Sequence, residues 1–321
     1  MNNSLLVVVV ASGIAYGTPL LYAALGELLA ERSGVLNLGV EGMMLVGAVM
    51  GFWTVQRLHA DAGISLAASI AVAALAGGLM AAIHAFLVIT LRASQIVSGL
   101  ALTIFAGAAG LSSYLGNDLN LADNPARHDF HALFPSSMQN WPLVGPIVFG
   151  QNLLVYLSWA CVIAVSLYLT RTRPGLNVRA VGESPAAADT MGIDVVKYRY
   201  AHTLAGGAFA GVGGATFTLA LTPQWVSGIT GGAGWIAIAL VIFAFWRPEL
   251  CLVGAYFFGA LQALTPELQA RDISLGPTEL WTNSLPYVMT VVVLVAASAS
   301  GARRWLGAPA SLGSPYVREE R

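Results

Sequence analysis

Apolar residues run along this chain in long blocks that short polar clusters interrupt, and they do not alternate with polar ones. Nine blocks match or approach the roughly 20 residues that a helix needs to cross about 30 Å of hydrocarbon. They cover approximately residues 4–29, 34–55, 63–90, 94–115, 148–170, 200–222, 232–247, 249–270 and 284–302. The pattern predicts an all-α polytopic transmembrane bundle of about nine spans over residues 1–302. A polar, proline-containing tail at 303–321 follows and reads as loosely ordered. The seventh block is short and opens on Gly231, Gly232 and Gly234. It is read as broken or re-entrant, a backbone form tolerated at membrane depth only where protein or a water path covers it. The first block differs from a secretory leader. No Lys or Arg precedes Arg32, and the apolar run from residue 5 to 29 is too long.

Composition agrees with lipid as the solvent. Only 10% of the residues are charged, against roughly 25% in an ordinary soluble domain, and so few charges cannot cover a water-facing surface. Many of the 35 glycines lie within the apolar blocks, where small residues let helices approach closely. Cys161 and Cys251 sit inside apolar blocks and read as packed small hydrophobes, neither a disulfide nor a metal pair. No basic patch with interleaved aromatics is present, which argues against nucleic-acid binding.

The distribution of positive charge sets an expected orientation. With the N-terminus outside and nine spans, the inside receives Arg32, Arg92, Arg171, Arg173, Arg179, Lys197, Arg199, Arg247, Arg303, Arg304, Arg318 and Arg321. The outside receives only Arg57, Arg127 and Arg271. The N-terminus is therefore expected outside and the C-terminus in the cytoplasm.

Two connections are long. The outer one, about 116–147, carries Pro125, Pro135, Pro142 and Pro146 and offers a surface for an extracytoplasmic partner. The inner one, about 171–199, contains a short helix whose two ends are marked. Ser184 is a good N-cap, Pro185 suits the first helical position, Ala186–Ala188 favour helix, and Gly192 suits the position past its end. About two turns of helix are marginal alone, so this one must pack on its own chain or on a partner. Its small apolar face (Ala187, Ala188, Met191) reads as a docking surface, and an ordinary ordered loop is the alternative. The chain cannot supply a nucleotide motor. A phosphate-binding loop needs a Lys after its glycines, and the only Lys is Lys197, in Val-Val-Lys-Tyr.

At these residues the chain resembles a family. Glu27-Leu-Leu-Ala-Glu-Arg-Ser-Gly-Val-Leu-Asn-Leu-Gly-Val-Glu-Gly-Met-Met44 resembles the signature of nucleoside and simple-sugar permeases of bacterial ABC importers, a broad family that includes ribose and branched-chain amino-acid permeases. The stretch Gly175–Ile193 is similar to that family's coupling region, and Gly206–Ala215 to the helix after it. The similarity runs from about residue 15 to 297. It implies a multi-pass protein of the bacterial inner membrane that is not itself an enzyme. It also implies a dimeric core and two cytoplasmic ATP-binding-cassette subunits that use ATP and Mg. An extracytoplasmic solute-binding protein completes the set. No cofactor is expected in this chain. In the nucleoside branch the second permease is a different chain, so a heterodimer is favoured over a homodimer. The chain departs from ribose-type permeases in lacking an extra N-terminal span. The resemblance assigns ATPase coupling to Gly182, Glu183, Ser184, Pro185, Ala187, Ala188, Met191 and Gly192. The implied solute is small and neutral, a nucleoside or nucleobase, with simple sugars and flavins open.

Polar groups inside a membrane are candidates for function. Asn37 and Glu41, four apart, are read on one face of the second span, either lining the path or fixing helix packing. Gln95, Ser98 and Thr103 at the start of the fourth span have the neutral donors and acceptors that such a solute needs, or bond the backbone. Gln224 and Trp225 at the outer end of the sixth span face either an arriving solute or the membrane belt. His84 and His202 read as local hydrogen-bonding residues. Gly207, Gly211 and Ala215 form a small-residue packing stripe. His128 and His131, with Asp123 and Asp129, lack the further ligands of a metal site. No catalytic grouping stands out. The rival reading is an ion-coupled secondary transporter using broken helices and Glu41; the weakly charged helical inner loop argues against it.

Overall fold

The computed structural model describes residues 5–122, 124–271 and 307–318, with isolated positions between 284 and 295. The described residues form helices α1 (Leu5–Arg32), α2 (Val40–Arg57), α3 (Ala62–Ala85), α4 (Gln95–Ala106), α5 (Leu111–Asp118) and α6 (Ser136–Gln139). There follow α7 (Leu153–Arg171), α8 (Arg173–Glu183), α9 (Pro185–Thr190), α10 (Val195–Thr216), α11 (Ala233–Phe243) and α12 (Pro248–Gln269). Single π turns extend α3 through Phe86–Thr90 and α10 through Phe217–Leu221. Among the described residues there is no strand, only one isolated bridge between Ala132 and Asn152.

Five helical stretches are long and apolar enough to cross a membrane: Leu5–Arg32, Ala62–Thr90, Gln95–Asp118, Leu153–Arg171 and Val195–Leu221. α1 is the centre of the bundle. From Gly17 to Glu31 every residue is buried, which is what a helix apolar on all sides must find. It packs on α10, α11 and α12, while α2 packs on α3, α4 and α10. The tightest crossings use glycine. A Cβ added at Gly211 would stand 2.1 Å from the Ala73 carbonyl oxygen on α3, and one at Gly207 2.3 Å from Ala81 Cβ. Backbones thus meet directly where α10 crosses α3.

Four features depart from the expectations. The fourth block does not run as one helix, because α4 ends at Ala106 and α5 starts at Leu111 after a turn bounded by Gly107 and Gly110. The second block starts later than expected. Residues 33–39 form a connector in which Gly34 takes φ +89°, so Asn37 precedes α2 and does not share a helix face with Glu41. The inner connection holds two helices; α8 was unforeseen, and α10 begins at Val195. Finally, residues 307–318 of the tail lie packed against the ends of α1, α8 and α10. The ninth block, 284–302, falls outside the described residues apart from isolated positions. The seventh is an 11-residue helix, α11, about 17 Å long.

Candidate translocation and coupling sites

The connector between α1 and α2 is where most of the candidate polar residues converge. The N–H groups of Ser33, Gly34 and Val35 donate to the Ala30 and Glu31 carbonyls of α1, and from Leu36 onward side chains take over the pairing. The Leu36 N–H donates to Gln95 Oε1 at 2.7 Å, and the Asn37 N–H donates to Glu27 Oε1 at 3.0 Å. His84 Nε2 lies 3.1 Å from the Leu36 carbonyl and its Nδ1 lies 3.0 Å from Ser98 Oγ. A carbonyl only accepts, so this pairing puts the ring proton on Nε2 and lets the Ser98 hydroxyl donate to Nδ1. Thr103 donates to the Leu38 carbonyl at 2.8 Å. Asn37 accepts from the Gly39 N–H at 3.0 Å and contacts Met43 Sδ at 3.3 Å. Gln95, Ser98 and Thr103 are therefore brought to one place, along the Leu36–Leu38 backbone. Thr103 joins the other two because the connector runs along α4, which spacing on the helix alone does not reveal.

Glu41 makes a second such joint. Thr230 Oγ1 donates to its Oε1 at 2.6 Å, the Gly232 N–H to the same oxygen at 3.0 Å, and the Gly234 N–H to Oε2 at 2.7 Å. The first N–H groups of a helix have no partner within it. Here a side chain of α2 supplies acceptors for the start of α11, where a carboxylate also suits the helix dipole. The approach needs glycine: Gly228, Gly231 and Gly232 all take positive φ, which costs glycine little.

Gln224 and Trp225 separate in the structure. Gln224 is exposed. Trp225 is 2% exposed and lies against Gly116 of α5, within a cluster with Val49, Phe52 and Leu121. His202 bonds Tyr168 Oη at 2.8 Å and the Tyr198 carbonyl at 2.7 Å.

Two buried carboxyls were not singled out from the sequence. Glu27 and Glu31, both 1% exposed, lie one turn apart on α1. Glu31 accepts from the Trp246 indole N–H, while Glu27 Oε2 has no partner among the described residues. Their signal was a pair of acids at the end of an apolar block.

The α8–α9 end is capped locally. Thr172 Oγ1 accepts from the Gly175 N–H at 3.1 Å to start α8, and Ser184 Oγ from the Ala187 N–H at 3.4 Å to start α9. Gly192 ends that region with φ +80°. The apolar face expected of α9 divides in two. Ala188 is 3% exposed and packs with Val181 and Val195 of this chain, whereas Ala187 and Met191 face outward. Gly182, one residue before the end of α8, lies against the Arg32 carbonyl, and the Glu183 carboxylate accepts from the Ala310 N–H at 3.4 Å. A cleft of about 560 Å³ beside α9 is lined by Thr90, Arg92, Asp194, Tyr316 and Arg318, among others. None of the candidate solute residues lines it. Among the described residues no cluster of His, Cys, Asp and Glu could hold a metal ion.

A putative glucose ABC transporter permease protein of Haloferax volcanii is 40% identical, covering 94% of this chain and 95% of its own length. A guanosine ABC transporter permease protein of Bacillus subtilis is 33% identical, covering 99% of this chain and 98% of its own length. A second guanosine ABC transporter permease protein of the same strain is 26% identical over 90% of this chain and 81% of its own. No solved structure matches. Residues 9–297 match the model of the branched-chain amino acid transport system permease component. The chain belongs to that family and is a permease subunit of the ABC transporter type.

Proposed function

We propose that the chain forms half of the translocation path of an importer for a neutral solute built on a sugar ring, a nucleoside in the first place. The observation that carries this reading is its near full-length similarity to a guanosine permease protein. The chemistry of the core agrees. Gln95, Ser98 and Thr103 bring amide and hydroxyl groups together along the connector, groups that suit a neutral solute better than an ion, while the Glu41 carboxylate is taken up by partners within the chain. Gln224, exposed at the far end of the π turn after α10, remains a candidate for first contact with the solute. A simple sugar is the second reading, favoured by the 40% identity to a putative glucose permease protein.

In this reading nine spans cross a bacterial inner membrane, with the N-terminus outside. The α8–α9 end faces the cytoplasm, because Arg32, Arg171, Arg173, Arg179 and Lys197 gather on the helix ends there. A separate ATP-binding-cassette subunit hydrolyses MgATP and grips the outward side of α9 at Ala187 and Met191. The opposite end receives solute from a binding protein. The second permease is a different chain; two related guanosine permease proteins in one Bacillus subtilis strain support this pairing.

The test is reconstitution of the chain with its partner permease, ATPase and binding protein in vesicles, followed by uptake of labelled guanosine and of labelled glucose. ATP-dependent guanosine uptake is expected. Uptake that persists without the ATPase would overturn the reading, and uptake of glucose alone would select the second one.

A further inference from the structure

Residues 307–318 bridge several elements whose direct contacts with one another include a small cluster of Val181, Ala188 and Val195. Arg32 Nη1 at the end of α1 donates to the Gly307 carbonyl at 3.0 Å, and its Nη2 donates to the Trp246 carbonyl at 2.8 Å. Both the backbone N–H and the hydroxyl of Ser311 donate to the Gly182 carbonyl at the end of α8, at 2.9 and 2.7 Å. The Gly313 N–H donates to the Gly34 carbonyl in the α1–α2 connector at 3.3 Å. Arg199 on α10 donates to the Ser314 carbonyl at 3.1 Å and to Ser311 Oγ at 3.4 Å. Arg318 lies 3.3 Å from Asp189 on α9, and Tyr316 packs on the cluster of Val181, Ala188 and Val195.

We propose that this segment and Arg199 form a clasp that positions α8 and α9 rigidly against the end of α1 and against α10. Displacement of α9 is thereby delivered to the two central helices. The proposal rests on the reading of α9 as the ATPase contact. Its physical basis is that α9 alone is a poor lever. It is six residues long and stands between an extended joint at Ser184 and a left-handed one at Gly192. A helix so short holds its place only through packing, and the clasp lays Tyr316 over its buried side. Arg199 depends on the segment for its acceptors. Arg199 is 2% exposed, its Nε has no partner, and among the described residues no carboxylate pairs with it. Burying a cation on neutral acceptors alone is costly, so the Ser311 and Ser314 oxygens of the segment tie α10 to it. Arg199 and Ser311 act through α8 and α9 and are positioning residues.

The experiment uses the complete reconstituted transporter with labelled guanosine and glucose as solutes. One variant stops the chain before Gly307; a second, Ser311→Pro, removes both Ser311 donors and keeps the segment as part of the chain. Limited proteolysis reads release of the segment, co-purification reads ATPase binding, and solute taken up per ATP hydrolysed reads force transfer. Both variants are expected to hold the ATPase within about twofold, while uptake per ATP falls about fivefold on truncation and about threefold for Ser311→Pro. A released segment with an unchanged ratio would overturn the clasp. Loss of the ATPase itself would also overturn it, by placing the segment in docking. A segment that stays protected in Ser311→Pro would show that Ser311 is not its anchor. If the truncated chain fails to insert, Ser311→Pro decides alone. Ala187→Glu in the intact chain tests the α9 contact separately, so the two readings fail by different measurements.

Discussion

Glu41 and Thr230 lie 2.6 Å apart although 189 residues separate them in the chain. The Gly232 and Gly234 N–H groups complete the same joint, so one side chain of α2 fixes where α11 begins. Glu41→Gln keeps the shape but turns one end of the group into a donor, which then faces an N–H or a hydroxyl. A drop in stability of about 1–3 kcal/mol is expected. Thermal unfolding of the purified subunit in detergent checks it, and an unchanged midpoint would show that the joint does not hold α11.

Neighbouring alanines on α9 should respond differently to the same charge. Ala187→Glu puts a carboxylate on the outward side and is expected to abolish ATPase co-purification with insertion intact. Ala188→Glu forces the charge among Val181 and Val195, where an unpaired ion costs several kcal/mol, and is expected to lower the yield of folded chain. Equal behaviour of the two in membrane yield and co-purification would contradict the division of this face.

At Gly211 there is no room for a side chain. Gly211→Val is expected to drive α10 away from α3, costing about 1–3 kcal/mol or more. Gly63→Ala is the control, since nothing lies within 4 Å of its added Cβ, and it should stay within about 0.5 kcal/mol of the parent. Comparing their thermal midpoints provides the check.

Trp225 and Gln224 are adjacent, but the first is buried and the second exposed. Trp225→Ala empties a buried site and should cost about 3–5 kcal/mol. Gln224→Ala should leave stability within about 0.5 kcal/mol, while lowering solute uptake if the exposed amide meets solute. Uptake equal to the parent's at every solute concentration would remove Gln224 from the path.

What could be read from the sequence depended on how local the cause was. The ends of α9 were legible because Ser184, Pro185 and Gly192 act within a turn or two of themselves. α8 was not: its Gly175, Asn177 and Gly182 are poor helix formers, and burial of Val178 in the main core and of Val181 against Ala188 and Val195 offsets them. The shared helix face of Asn37 and Glu41 failed because the connector, tied to Glu27, Gln95 and Thr103, outcompetes an early helical start. Those ties cross from helix to helix, so spacing along one segment cannot disclose them. The tail had the composition of a loose end. Its order comes from Arg32 and Arg199, more than a hundred residues away. Five of the nine apolar blocks were readable as stretches of spanning length, because lipid demands length and apolarity whatever the tertiary contacts.

A helix that starts inside an apolar bundle would ordinarily be an anion trap, with bare N–H groups and the positive end of a dipole turned to the interior. At α11 the trap is already sprung by the chain's own carboxylate. Any other acceptor that reached the start of α11 would find that foothold occupied, so the joint that anchors a short helix also closes its end.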